Sequence, residues 1–303
     1  MTDKLTATMQ TAKRIYSLAR ERNHSVQLLG AYRALAVTLC FLGAFRTARQ
    51  YAMRGAQIWR SRGIGSLVEQ PFPPAIACLS YSAICEWHLG EIASCQATMA
   101  EAVSAAKELN DMHALAGALF FAAILYACER NPVKVERSAS DVIQLSTSKN
   151  FADWLPGGEV LHGWAQSASG RTTEGLSWIE SGLEGWRATG SMLLIPYWLA
   201  LKAEALHLAN RTPEALEAVR EAEALVERTE EWWCCAELHR LRGVFLAAID
   251  ADETQIEASF CEAIRRAKHQ KAISLVKRVE GTYAGYQRRR ASGSGGSGFL
   301  LPL

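Results

Sequence analysis

Small residues recur at the centre of apolar segments along the chain, and their spacing predicts a repeated helical fold. Ala123, Gly163, Ala203 and Gly243 lie 40 residues apart, each inside a segment with the hydrophobic periodicity of a helix. At similar intervals upstream, the column continues with Ala83 and Ala36. A small side chain lets two helices cross closely, so the column predicts the same crossing in each successive unit. Self-similarity at a fixed period of this length indicates a solenoid.

A second column follows the first by 12 residues and predicts the partner helix of each unit. Its members are small or apolar: Ala48, Cys95, Val135, Gly175 and Ala215, with Ile256 one residue late. The pattern continues at spacings of four and three, as in Gly175, Ile179 and Gly182, which places the three residues on one helical face. Strand signals are almost absent. We therefore expect an all-α solenoid of antiparallel helix hairpins.

Turn residues divide the chain into units of about 40 residues. The turns inside the units are predicted at Gly43-Ala44, Gly90-Glu91, Asn131-Pro132, Gly170-Arg171, Asn210-Arg211 and Asp250-Ala251. The turns between units are predicted at Arg62-Gly63, Leu109-Asn110, Lys149-Asn150, Thr189-Gly190 and Thr229-Glu230. Gly and Asn favour the left-handed conformation that ends many helices.

The resulting organisation is one solenoid over residues 1–290. It comprises a half repeat at 1–23, repeats at about 24–63, 73–110, 111–150, 151–190, 191–229 and 230–270, and a capping helix at 271–290. A stretch with three prolines, Ile64–Pro74, predicts an extended loop. The Gly/Ser-rich tail at 291–303 is predicted to be flexible. Since the array begins with a second helix without its partner, we expect the chain to be part of a larger signalling protein.

Composition narrows the function classes. The formal net charge is +2 over 303 residues, which gives no reason to expect a nucleic-acid partner. Eight cysteines without a paired framework are typical of reduced thiols in the cytoplasm. The sequence shows no signal peptide and no apolar stretch of transmembrane length. We expect a cytoplasmic protein that does not bind a membrane.

The repeat columns resemble those of tetratricopeptide repeats, although those units are shorter, at roughly 34 residues. The run AELHRLRG at 236–243, followed by ASFCEAIRRAK at 258–268 and QKAISL at 270–275, is more specific. It resembles the closing repeats of bacterial signal-transduction ATPases, maltose-regulator-like activators and ATPase-containing adenylate/guanylate cyclases. The resemblance implies a right-handed tetratricopeptide-like superhelix. It also implies that any ATPase or cyclase module lies elsewhere in the polypeptide or in a partner.

No catalytic or cofactor motif is visible. The chain has no G-x-x-x-x-G-K-[ST] loop and no helix-turn-helix segment. Cys234, Cys235 and His239 form the tightest group of potential metal ligands, but a structural zinc site needs four. We favour buried helix thiols over a metal site there, and we expect no enzyme activity and no cofactor.

The phase of the first column predicts which residues face a concave groove. These are Arg33, Trp87, His88, Trp164, Glu204, His207 and Arg240. Solenoids of this kind hold peptides or partner helices on their concave face. The sequence therefore predicts a non-enzymatic interaction scaffold with a protein or peptide partner. The alternative is a sensor domain that binds a small effector in the same groove.

Overall fold

The computed structural model describes residues 4–22, 24–62 and 72–291. Over these ranges the chain forms fourteen α-helices and one 3₁₀ turn, Trp232–Cys234, and no strand. The helices are α1 Leu5–Glu21, α2 Ser25–Phe41, α3 Phe45–Arg62, α4 Pro74–His88, α5 Ile92–Glu108, α6 Met112–Cys128, α7 Pro132–Lys149, α8 Leu155–Ala168, α9 Thr172–Ala188, α10 Ile195–Leu208, α11 Thr212–Thr229, α12 Cys235–Ala248, α13 Glu253–His269 and α14 Ile273–Ala291. Most of the predicted proline-rich loop and tail, residues 63–71 and 292–303, lies outside the described residues.

The helices form two layers, which confirms the predicted all-α solenoid of hairpins. Each even-numbered helix packs against the odd-numbered helices beside it in the chain, and successive even-numbered helices contact one another. The even-numbered helices form the inner layer, and those from α4 to α12 are the more buried. In α4 every residue except Tyr81 is buried, whereas α13 buries only five of its 17 residues. Among the described helices none is both long and apolar enough to cross a bilayer.

The columns of small residues mark close helix crossings, as predicted. A Cβ atom placed on Gly163 of α8 would fall against the carbonyl oxygen of Gly175 in α9. Farther along the same crossing, a Cβ on Gly182 would lie 2.5 Å from the carbonyl oxygen of Pro156. Because the nearest atoms at both positions are backbone oxygens, which cannot move aside as the end of a side chain can, a larger residue would force the helices apart.

The turns end their helices with left-handed residues. Within the units, Gly43, Gly90, Gly170, Asn210 and Asp250 all have positive φ, as the sequence predicts. The predicted turn at Asn131-Pro132 differs by one residue.

In that turn the left-handed residue is Arg130, with φ of 60°. Asn131 instead caps the next helix, because its side chain accepts a hydrogen bond from the Lys134 backbone N–H at 3.1 Å. The column of turn residues therefore contains one arginine among glycine, asparagine and aspartate.

The two ends of the solenoid contact each other. Helix α14 packs against α4, and the 3₁₀ turn packs against α2. The Ser274 hydroxyl donates to the carbonyl oxygen of Trp87 at 2.5 Å, and the Thr6 backbone N–H donates to Glu230 Oε2 at 2.8 Å. One apolar core therefore extends from the first helix to the last.

Candidate functional site

Side chains from five parts of the chain meet at a cavity inside the solenoid, which we call the central cavity. Its walls come from α4, the end of α6 and the turn after it, α10, the region of the 3₁₀ turn and α12, and α14. Aromatic rings of Trp87, Tyr197 and Trp233 line it together with the charged groups described below. The free volume is about 30 Å³, which is room for roughly two water molecules.

A buried ion pair forms one wall of the central cavity. Arg130 Nη1 donates to both carboxylate oxygens of Glu204, at 2.8 and 2.6 Å. Trp164 Nε1 donates to Glu204 Oε2 at 2.9 Å, and the Arg130 guanidinium lies 5.1 Å from the centre of the Trp164 ring. Burial by itself would lower the pKa of Arg130, but the Glu204 and Glu237 carboxylates together outweigh it and raise that pKa. Charge and aromatic contacts thus fix this arginine in place.

A second charged group lies where α12 meets α14. Arg240 binds Glu237 through Nη2 at 2.6 Å and Nε at 3.0 Å, and Arg278 Nη1 lies 3.6 Å from Glu237 Oε1. Arg278 also donates to the carbonyl oxygen of Cys128 and lies over the Trp87 ring. Burial would raise the pKa of Glu237, but the two arginines hold it at about 2. The pKa of Arg278 is lowered, by burial first and then by Arg130 and Arg240.

The remaining titratable groups of the central cavity are held neutral by burial. Burial lowers the pKa of His88 to about 4, and the ring stacks on Phe45 with 3.9 Å between centroids. Burial raises the pKa of the Cys128 thiol to about 12 and takes those of Cys234 and Tyr197 well above their ordinary values. At neutral pH the cavity therefore contains arginines, carboxylates and uncharged groups, with no thiolate.

Glu231 lies beside the cavity and joins two repeats. Its carboxyl group is fully buried and accepts hydrogen bonds from the backbone N–H of Leu194 at 3.0 Å and from Trp233 Nε1 at 2.9 Å. Leu194 has the left-handed φ of 70° and immediately precedes α10. Burial, opposed by these two hydrogen bonds, raises the pKa of Glu231 to about 8. The group therefore carries a proton over much of the physiological pH range.

The structure brings five of the seven predicted groove residues to one place. Trp87, His88 and Glu204 line the central cavity, Trp164 binds Glu204, and Arg240 binds the cavity residue Glu237. All five are buried, so little of their surface is accessible to a partner in this structure. Their role in contacting a partner stays a prediction.

The other two groove candidates lie apart from this cluster. Arg33 Nη1 donates to the carbonyl oxygen of Phe72 at 3.3 Å. His207 Nδ1 lies 3.0 Å from Thr212 Oγ1, and its ring lies 4.9 Å from that of Phe245. Neither residue lines the central cavity.

Sequence reasoning missed Arg130, Tyr197, Glu237 and Arg278. Arg130 left a signal, because an arginine occupies a turn column otherwise made of glycine, asparagine and aspartate. Glu237 lies three residues before Arg240, a spacing at which two side chains meet on a helix. Arg278 left no signal in the sequence, because its place at the cavity depends on contact between the first and last units of the array.

The structure places the two cysteines considered as metal ligands and, beside them, the adjacent tryptophans Trp232 and Trp233. Cys234 and Cys235 are buried, and His239 Nδ1 lies 3.2 Å from Glu223 Oε1. Among the residues that the structure describes, no group of three His, Cys, Asp or Glu side chains is arranged to hold a metal ion. Trp233 is buried against Phe41 and Tyr197, whereas Trp232 is half-buried.

Comparison with known proteins supports the fold more than the function. No family model matches the chain. An uncharacterized protein of Rhizobium meliloti is 29% identical over 120 residues, which are 40% of this chain and 12% of that protein. The chain therefore spans far less than two thirds of this curated relative.

Two solved structures resemble the chain over most of its length. The Rap conjugation gene regulator of plasmid pLS20, in complex with the Phr* peptide, has a TM-score of 0.67 at 10% identity, over 89% of this chain and 71% of that one. A Rap protein complexed with competence and sporulation factor has a TM-score of 0.64 at 10% identity, over 95% and 88% of the two chains. The fold is a tetratricopeptide-like helical solenoid.

Proposed function

We propose that the chain is a regulatory scaffold that binds a peptide or protein partner on the inner face of its solenoid and catalyses no reaction. The observation that best supports this proposal is the composition of that face. Glu204 and Glu237 are buried, and Arg130 and Arg278 are only partly exposed, at inner positions where a layer serving only stability would be apolar. Buried ion pairs contribute little stability compared with apolar packing. Arginine with tryptophan and tyrosine is, however, the composition of binding hot spots.

The fold neighbours support this proposal. The conjugation regulator was solved with the Phr* peptide, and the second Rap protein with competence and sporulation factor. A solenoid of this architecture can therefore hold a second molecule. In this chain we propose that the partner binds the inner layer of even-numbered helices.

Access to the inner face depends on α14. This helix is held to the opposite wall partly by polar contacts, since Ser274 donates to the Trp87 carbonyl and Arg278 to the Cys128 carbonyl. A partner segment could replace such hydrogen bonds one for one, whereas interdigitated apolar side chains would resist exchange. We propose that α14 moves from α4 and α6 when the partner binds.

The partner itself is proposed from the sequence. The closing run at 236–275 resembles that of cyclase- and transcription-regulator-type signalling proteins, and the Rhizobium relative extends far beyond the matched segment. We propose that the scaffold serves an ATPase or cyclase module, in the same polypeptide or in a separate protein, in the cytoplasm.

Affinity capture from the source cell, with mass spectrometry of the bound proteins, tests the proposal. The wild-type chain is compared with Ser274→Ala, which removes the hydrogen bond from α14 to α4. The matched control is Ser148→Ala, whose exposed hydroxyl donates to the Leu145 carbonyl of its own helix at 3.1 Å. We expect a reproducible partner whose yield rises with Ser274→Ala and is unchanged with Ser148→Ala. Equal yields from all three would argue against the inner face.

Assays on the captured complex separate the general proposal from its finer part. ATP hydrolysis or cyclase activity that appears only with the partner would support the signalling-module proposal. A captured protein without either activity would contradict the signalling-module proposal but not the general proposal of an interaction scaffold.

The effector-sensor alternative faces a size limit in this structure. Organic ligand pockets usually enclose about 300–1,000 Å³, whereas the free volume here is about 30 Å³. Such a ligand would bind only after the interior opens. Thermal-shift screening against metabolites tests this directly, because a ligand that binds the folded state raises Tm.

A further inference from the structure

The two ends of the solenoid meet along a seam, and an open groove lies on it. The turn between α2 and α3 contacts the end of α13, where a Cβ atom on Gly43 would meet the Gln270 side chain. The turn between α4 and α5 contacts the start of α14, where a Cβ atom on Gly90 would meet Ile273. Two hollows adjoin these contacts, with free volumes of about 370 and 590 Å³. We call the two hollows together the seam groove.

Positive charge predominates in the seam groove. Among the described residues that line it, the cations are Arg46, Arg49, Arg266 and Lys271, and the single carboxylate is that of Glu91. Arg49 Nη2 binds this carboxylate at 2.9 Å. Arg46 and Lys271 line both hollows and are exposed. No carboxylate in the described part of the chain pairs with either of them.

Elsewhere on the outer layer, arginines of one repeat pair with glutamates of the next. These pairs are Arg60–Glu101 at 2.5 Å, Arg171–Glu136 at 2.6 Å and Arg187–Glu221 at 2.7 Å. At the seam the last repeat meets the first, and Arg46 and Lys271 lie there without such a glutamate. A carboxylate from a second molecule would complete in the groove the pairing that neighbouring repeats make with each other.

An apolar surface lies between the cations. Leu42 and Trp232 are both half-buried and line the same hollow as Arg46 and Lys271. The Arg266 guanidinium lies 4.9 Å from the centre of the Trp232 ring. Tryptophan and arginine are the residues most enriched at binding hot spots. The groove therefore combines an apolar contact surface with cations on either side.

We propose that the seam groove binds an acidic segment of a partner protein. Carboxylates of the segment pair with Arg46 and Lys271, and an apolar side chain of the segment packs on Trp232. A nucleic acid needs a track of several unpaired cations along its backbone, whereas arginines on the outer layer beyond the groove are paired. The groove is separate from the inner face, so this proposal does not rest on the function proposed above.

Fluorescence anisotropy of a rhodamine-labelled peptide, Glu-Glu-Leu-Glu-Glu, tests the site with the full chain at low ionic strength. The wild type is compared with the double variant Arg46→Gln, Lys271→Asn. Asparagine preserves the turn, because Asn110 and Asn150 have the same left-handed conformation as Lys271. We expect the loss of both cations to raise Kd by about tenfold.

The matched control removes the same two charges outside the groove. Lys13→Gln, Arg14→Gln lies on the exposed face of α1 and should leave Kd within about twofold of the wild type. Equal Kd values in the two double variants, or no binding to the wild type, would overturn the proposal. So would a glutamine analogue of the peptide that binds as tightly. Tighter binding of a single-stranded oligonucleotide of equal charge, lost in the groove variant, would assign the groove to nucleic acid instead.

Hydrogen exchange with saturating peptide locates the contact. We expect slower exchange in the turn between α2 and α3 and in the turn between α13 and α14, since the peptide covers both. Amides of α7 and α9, which lie away from the seam, should keep their rates. Protection spread evenly over the chain, or absent from both turns, contradicts a site at the seam.

Discussion

Two helical glycines, Gly163 and Gly281, have opposite surroundings and give a matched test of the small-residue column. A Cβ atom on Gly163 would meet the backbone of Gly175, whereas a Cβ on Gly281 of α14 would meet nothing within 4 Å. Gly163→Ala should lower the free energy of unfolding by about 1–3 kcal/mol, since the helices must separate. Gly281→Ala should raise it by about 0.5–1 kcal/mol, because alanine favours the helix. Urea denaturation monitored by circular dichroism measures both changes.

Equal effects of the two substitutions would show that helix propensity alone governs these positions. The column would then carry no information about helix crossings. The opposite signs expected here come from the same chemical change in two surroundings, so the comparison isolates the contact between α8 and α9.

The buried carboxyl of Glu231 predicts a loss of stability toward alkaline pH. Its pKa is about 8 in the folded chain against an ordinary value of 4.5, so the folded state keeps a proton that the unfolded state releases. The free energy of unfolding therefore decreases as pH rises from 4.5 to 8, by up to ~1.4 kcal/mol per pH unit. Glu231→Gln cannot ionise, and its oxygen can still accept both hydrogen bonds.

Denaturation at a series of pH values checks this prediction. The free energy of unfolding of Glu231→Gln relative to the wild type should rise between pH 4.5 and 8 and become constant above pH 8. The exposed Glu227→Gln is the control, and its difference from the wild type should stay flat. A flat difference for Glu231→Gln as well would mean that the buried group ionises without cost. The pKa of His88 is also lowered on folding, from 6.5 to about 4. This contribution to the pH dependence is the same in every variant, so it cancels in the difference from the wild type.

At the scale of elements, the turn before α7 combines two opposing contributions to stability, backbone strain at Arg130 and the ion pair that Arg130 forms with Glu204. Arg130 is held at a positive φ, which costs about 1–2 kcal/mol for a residue with a Cβ atom. Arg130→Gly relieves this cost but leaves Glu204 buried without its cation, at about 3–5 kcal/mol. The loss of the ion pair outweighs the relief, so we expect a net destabilisation of about 1–4 kcal/mol.

The control lies in the equivalent turn of a later unit. Asn210 has a φ of 61°, and Asn210→Gly should change stability by less than about 0.5 kcal/mol. The double variant Arg130→Gly with Glu204→Gln should recover part of the loss, because the unpaired charge is gone. No recovery in the double variant would mean that the turn, not the ion pair, explains the effect of Arg130→Gly. Chemical denaturation of all four chains decides the point.

Helix hairpins and their turns were predictable because each is encoded locally and repeated. Gly43, Gly90 and Gly170 end helices where the sequence places them. The one-residue difference at Arg130 arose because Asn131 suits both a helix end and a helix cap, and only the structure shows that it caps α7. Periodicity also identified Trp87, His88 and Glu204 as inner residues. It could not show that they would be buried.

At the scale of the whole molecule, burial of the inner face follows from closure of the array. Arg278 reaches Cys128, and Trp233 reaches Phe41, across 150 and 192 positions of the sequence. A repeat pattern specifies how neighbouring units stack, but it does not specify the curvature that brings the first and last units together. The central cavity is a product of that curvature.

Closure predicts that the two ends of the solenoid protect each other from hydrogen exchange. Ser274→Ala removes a hydrogen bond between α14 and α4, so amides in both helices should exchange faster, by roughly tenfold if about 1.4 kcal/mol is lost. Amides of α8 and α9, which lie in the middle of the array, should keep their rates. Ser148→Ala should change neither set. Acceleration confined to α14 would mean that the last helix frays alone, whereas acceleration in α4 as well, many units away in sequence, requires that the ends stabilise one another.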